Sequence, residues 1–167
     1  MAKTITTSVG GLSDAGVRAA LLKLQTNAVD HVFNSAGLTI GSSSKPKVKI
    51  ANTTYFMIDG VIYSKTTAEV VLTTANNVAN ATFNVLVLSI NAAGTVTVTN
   101  GTAAATLAAV VFPTIPSSQV VLGFVIINPT GTGGFVGGTT DLDDATVVPN
   151  AVYVQTPYPF NPNSLSL

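Results

Sequence analysis

The residues able to do chemistry are few and scattered. His31 is the single histidine, and it falls at the end of a stretch with helical spacing. A lone imidazole, without Cys, Glu or a second His at ligand spacing, is a poor start for a metal site, although a helix C-terminus would favour its charged form. Asp141, Asp143 and Asp144 form the one acidic cluster. Their spacing partly imitates a calcium loop, but the glycine and the distal bidentate glutamate of such a loop are missing. The plainer reading is a turn whose aspartates accept from backbone N–H groups.

Asp59 and Glu69 would imitate a glycosidase pair if they faced each other. Asp59 is already accounted for by a turn, however. With no Trp and aromatics at 7%, a platform for stacking sugars is poorly supported. Lys45, Lys47 and Lys49 alternate, so at strand period they share one face. They suit a phosphate or acidic-partner contact, or else a solvated edge strand guarded from pairing by lysine, which is the reading taken. The run GTGGFVGG at 131–138 lacks dinucleotide spacing and opens no helix, so it is no phosphate loop. The Asn-X-Thr triplets at Asn52, Asn80 and Asn100 carry no weight without a secretory leader. No residue is assigned a catalytic, cofactor-binding or metal-ligating role, and the chain does not read as an enzyme.

The elements that would position these groups are mostly strands. Ser13 or Asp14 suits a helix N-cap, and Val17, Ala20, Leu21, Leu24, Ala28 and Val32 follow at three- and four-residue spacing, one apolar stripe at helical period. Asn34 and Gly37 offer the stop. Such a helix either lids its own sheet or forms a seam with copies of itself. Residues 38–45 read as a Gly/Ser linker. The segments at 54–58 and 61–64, joined by Asp59-Gly60, predict a hairpin with a type I′ turn. Further strands are expected at 69–73, 83–90 and 95–99, with Val96 and Val98 inward. Residues 103–111 suit a short irregular or helical crossover. The apolar run at 120–127 reads as a strand buried on both faces, and 146–148 and 152–154 are two short strand candidates. The last segment, 157–167, holds three prolines with Tyr158, Phe160 and Leu165, so it is stiff and extended, anchored on a neighbouring subunit or across its own domain.

The expected architecture is therefore mainly β, an antiparallel β-sandwich or open barrel with one N-terminal amphipathic helix and extended terminal arms. It divides into an arm, helix and linker (1–44), a β domain (45–156) and a Pro-rich tail (157–167).

Composition sharpens this. The 167 residues suffice for one domain with a real core. Charged residues are 8% of the chain, against roughly 25% in an ordinary soluble domain. Thr, Asn, Ser and Gly take their place, and formal net charge is zero, which favours association. Seven basic and seven acidic residues make no field for nucleic acid or an anionic membrane. No Cys is present, so no disulfide framework exists. The longest apolar run, at 103–113, falls far short of the roughly 20 residues of a spanning helix. The residues after Lys3 lack the apolar core of a secretory leader, so the expectation is a cytosolic protein or one built into something assembled in the cytosol.

The hairpin YFMIDGVIYSKTTAEVVLT (55–73), the segment NAAGTVTVTNGTAAA (91–105), and FPTIPSSQVVLGFVIINPTG (112–131) with the later FVGGTTDLDD (135–144) resemble a family of small structural proteins of tailed bacteriophages and prophages. The likeness covers most of 53–144. It implies a non-enzymatic virion protein, set on capsids as a cement or decoration subunit, often trimeric, or placed in tail and fibre assemblies. It carries over no catalytic residue. The expectation is a cement subunit on the capsid surface, assembled in the host cytoplasm, with itself (a homotrimer) and the major capsid protein as partners, and neither nucleic acid nor membrane. The arms at 1–11 and 157–167 would bridge to neighbours. The alternative is a tail-fibre or baseplate protein for host attachment, with an exposed aromatic-polar site near Phe135.

Overall fold

The computed structural model describes residues 15–19, 21, 30–43 and 45–163. Its strands in chain order are β1 His31–Val32, β2 Leu38–Ile40, β3 Lys47–Ile50, β4 Thr54–Ile58, β5 Val61–Lys65, β6 Ala68–Val71, β7 Asn84–Asn91, β8 Val96–Asn100, β9 Gln119–Ile127 and β10 Val152–Gln155. They form a four-stranded sheet, β10-β9-β7-β8, and two three-stranded sheets, β1-β4-β5 and β2-β3-β6. All their pairings are antiparallel. The protein is thus mainly β, and among the described residues no sheet closes into a barrel.

The centre of the molecule is the pair β7 and β9, because their sequences are apolar at successive positions and so need cover on both faces. Leu86, Leu88 and Ile90 of β7, with Val120, Leu122, Val125 and Ile127 of β9, pack against Val32, Leu38, Val48, Ile50, Phe56 and Ile58 of the two smaller sheets. On the opposite face, Val85, Val87, Val121 and Phe124 pack under Val110, Phe112 and Ile115, with Phe160 of the tail against them. Each such side chain contributes about 1.5–3 kcal/mol when fully buried.

The inward set on β9 runs 120, 122, then 125, 127, a phase change no regular strand allows. A bulge supplies it: Leu88 pairs with Gly123 and Ser89 with Val121, leaving Leu122 as the extra residue. The Asp59-Gly60 turn forms as the sequence predicts, with φ of 52° and 78°. Residues 103–111 are irregular with a 3-10 turn at Leu107–Ala109, also as expected.

Several expectations fail. The helix is seen at 15–19 and 21, but its expected stripe does not continue to Val32. His31 and Val32 are a strand, paired with Met57 and Phe56. The stretch between, 22–29, lies outside the described residues. The linker expected at 38–45 begins with a strand, β2, so pairing starts well before residue 45. The lysine strand β3 is not an edge. It lies between β2 and β6, and its lysines are tolerated there because Val48 and Ile50 point to the core while Lys47 and Lys49 point away. Residues 146–148 are a turn, not a strand, built on Asp144.

Through residue 163 the tail lies across its own domain, one of the two anchorages expected for it. The Phe160 ring lies 5.8 Å from Phe112 and 6.0 Å from Phe124, centroid to centroid. The Asn163 amide clasps Ile115 twice, its Oδ1 accepting from the backbone N–H (2.7 Å) and its Nδ2 donating to the carbonyl (3.4 Å). The tail therefore roofs its own second core. Arm 1–11 lies outside the described residues. Because Phe160 is half-buried, Phe160→Ala should lower the stability of the isolated chain by roughly 2 kcal/mol. Urea denaturation checks this. An unchanged midpoint would mean that the ring serves another molecule instead.

Candidate interaction surface

The structure disperses the residues that sequence marked for chemistry. His31 stands on β1, not at a helix end, with its ring 4.5 Å from that of Phe33 in an edge contact. Its Nδ1 is buried without a hydrogen-bond partner among the described residues. Asp59 sits at a hairpin tip, and its N–H donates to Asp30 Oδ1 (2.7 Å). Glu69 lies on another sheet, so the two carboxylates of the imagined glycosidase pair are not brought together. Asp144 closes its turn by accepting from the Thr146 N–H (2.8 Å) and hydroxyl (2.6 Å). The hydroxyl, then the amide, lowers its pKa from the usual carboxylate value. Asp143 pairs with Lys45 at 2.8 Å, which raises the lysine pKa through that hydrogen bond and its charge. Among the described residues no cluster of three His, Asp or Glu is set to hold a metal, and no helix is long and apolar enough to cross a membrane.

Phe135 corrects another expectation. The aromatic placed at an exposed loop site is 1% exposed, and its backbone pairs both ways with Val78. The glycine-rich loop is where the chain folds inward, with Phe135 as its core plug.

Sequence reasoning missed what Glu69 does. It stands opposite Lys49 on β3, and its Oε1 accepts from the N–H groups of Ser42 (2.7 Å) and Ser43 (2.9 Å). Its Oε2 accepts from the Ser43 hydroxyl and lies 3.7 Å from Lys47 Nζ. One carboxylate therefore clasps the β2–β3 loop. The Ser43 hydroxyl, the Ser43 and Ser42 amides and the Lys47 charge together pull the Glu69 pKa down to about 2. The contribution of this clasp is full above the ordinary glutamate pKa, near 4.3, and is lost as the pH falls through about 2. The amide resonances of Ser42 and Ser43 should therefore titrate with a midpoint about 2. A midpoint near 4.3 would reject the clasp.

Among the described residues, one sheet face remains uncovered. Strands expose alternate residues, and in β1-β4-β5 one set, Val32, Phe56 and Ile58, enters the core. The other set faces outward. Met57 is flanked by His31 on β1 and Ile62 on β5, and Tyr55 lies opposite Ser64. Phe33 continues β1 beside Tyr55, its N–H donating to the Tyr55 carbonyl (2.9 Å). Phe33 is 45%, Tyr55 52% and Ile62 64% exposed. The face carries no Lys, Arg, Asp or Glu, so an apolar and aromatic surface stands in water, the usual mark of an interaction site. The sequence contains each of these residues, but the face assembles only once β1 pairs with β4.

No family model, curated protein or solved structure matches the chain.

Proposed function

We propose that this chain is a non-enzymatic structural protein of a virion, a cement or decoration subunit that stabilises the head shell of a tailed bacteriophage. The observation that carries the reading is the uncovered outer face of β1-β4-β5, on a chain with 8% charged residues and no net charge. A protein with this surface gains stability by being tiled among neighbours. The resemblance of 53–144 to phage structural proteins supplies the setting. The fold is taken as a β-sandwich, the four-stranded sheet forming one layer and the two three-stranded sheets the other; the single apolar cluster shared by all three sheets supports this. Its partners are copies of itself, as a trimer, and the major capsid protein.

The work is mechanical. A covered apolar face gains about 25 cal/mol per Å², and repetition over a shell multiplies weak contacts into firm attachment. Co-sedimentation with empty shells tests the assignment. The expected result is saturable binding by wild-type protein and weakened binding by Tyr55→Asp, which changes only an exposed position. No binding by the wild type rejects the cement role.

A second reading, host attachment from a tail fibre or baseplate, draws on the same face, since Phe33 and Tyr55 are exposed aromatics beside the polar His31 and Ser64. Its position in a particle reconstruction separates the two. Copies on every capsomer mark cement, and copies confined to the tail mark attachment.

A further inference from the structure

We infer that the outer face of β1-β4-β5 is the seat for the N-terminal helix of a second copy of this chain. The inference rests on the reading of the protein as a self-assembling subunit and names the surfaces that would join.

Among the described residues, two of the open apolar surfaces matter here. One is the sheet face just described. The other is the helix, where Val17 and Leu21 lie one turn apart on the same side and are 40% and 59% exposed. Both belong to the stripe that the spacing picks out. A helix whose apolar side were laid on its own sheet would bury these two residues, and here they stand in water. Among the described residues neither surface is covered.

The two surfaces match in chemistry. The sheet face offers Phe33, Tyr55, Met57 and Ile62 with no charge among them, a flat apolar floor suited to an aliphatic helix stripe. At one end of that floor stands the exposed Asp59, in the turn between β4 and β5. On the helix, Arg18 is exposed next to Val17. An arginine at the flank of the stripe would meet Asp59, which fixes the direction of seating as well as adding attraction.

Connectivity allows the exchange. Nine residue steps separate Leu21 from Asp30, a span of at most about 32 Å when extended, enough to pass to an adjacent molecule. A helix from one copy on a sheet of the next is a head-to-tail contact, and such contacts close into rings when the rotation permits. A trimer is one such ring.

The chain has no cysteine, so a disulfide trap reads the contact directly. Wild-type sedimentation equilibrium comes first. Leu21→Cys and Ile62→Cys chains are then mixed, allowed to exchange and mildly oxidised. The expected result is an oligomeric wild type and a cross-linked pair enriched on the order of tenfold over a control mixture of Leu21→Cys with Thr97→Cys, a level set by a defined interface rather than by chance collision. An oligomeric wild type without that enrichment overturns this interface and leaves the assembly reading intact. A wild type that stays monomeric at every concentration overturns both. A chain carrying both substitutions that closes on itself at high dilution shows the helix seated in its own molecule, and overturns the exchange. Ile62→Asp gives the independent check. It should weaken self-association by on the order of tenfold while the melting temperature of the monomer holds, because Ile62 is 64% exposed. Unchanged association overturns the seat.

Discussion

Phe135→Ala is expected to destabilise the protein by about 3–5 kcal/mol, the usual cost of emptying a buried aromatic site. The ring is 1% exposed and belongs to the main core with Leu72, Val78 and Leu142. Its backbone exchanges hydrogen bonds with Val78 at 3.0 and 2.9 Å. The loop around it cannot collapse into the space, because adjacent glycines already touch backbone. A Cβ on Gly134 would lie 2.7 Å from the Val78 carbonyl, and one on Gly137 2.0 Å from the Thr73 carbonyl. For a domain whose whole stability is about 5–15 kcal/mol, the loss is large. Urea denaturation measures it. Phe33→Ala is the matched control, since Phe33 is 45% exposed and surface changes stay within about 0.5 kcal/mol. Equal effects at the two positions would mean that Phe135 is not the core plug described.

Gly123→Ala should cost roughly 3 kcal/mol, from overpacking against backbone together with an unfavourable φ. Gly123 has φ of 151°, and an added Cβ would sit 2.3 Å from the Val154 carbonyl oxygen and 2.7 Å from Leu38 Cδ1. The Val154 carbonyl is backbone and does not yield cheaply. Val154 lies on β10, which pairs with β9 through Gly123 and Gln155. The Gln155 side chain in turn holds β2, accepting from the Leu38 N–H (2.9 Å) and donating to its carbonyl (3.1 Å). The Thr156 hydroxyl adds a bond to the Val121 carbonyl (3.0 Å). Pushing β10 away therefore loosens the junction between two sheets. Hydrogen exchange at the Leu38 amide should accelerate along with the drop in urea midpoint. Gly133→Ala isolates the backbone part, because Gly133 has φ of 93° but nothing within 4 Å of the added atom. If both variants lose the same stability, the close approach at β10 contributes nothing.

The bulge that requires Gly123 also shows where sequence reading stops. Eight successive apolar residues announce a strand covered on both faces, and β9 is that strand. Their uniformity conceals which residues face which core, because no polar residue marks the alternation. The phase change at Leu122 and Gly123 follows from the partner strand, since Ser89 and Leu88 decide the register. The two-residue β1 is a similar case. Val32 falls on the same arithmetic as Ala28 and so extends a helical stripe on paper. Its pairing with Phe56 is a contact between distant segments that local spacing does not encode.

Local chemistry determined much by itself. Asp-Gly between β-branched and aromatic residues makes its turn, since those two residues accept positive φ at low cost. The alternation of Thr and Val makes β8, with Val96 and Val98 against the core. The scarcity of charge sets the character of the surface wherever the chain folds. Tertiary structure alone decided the rest. It turned Lys47 and Lys49 from edge guards into outward-facing residues of a central strand. It gave Glu69 a loop to hold and made Phe135 a core residue rather than a surface one. It brought Phe33, Tyr55, Met57 and Ile62 onto one open face. Spacing along a chain reports which residues share a side of one element, whereas which elements become neighbours, and which face is left without cover, is settled by the balance of burial across the whole fold.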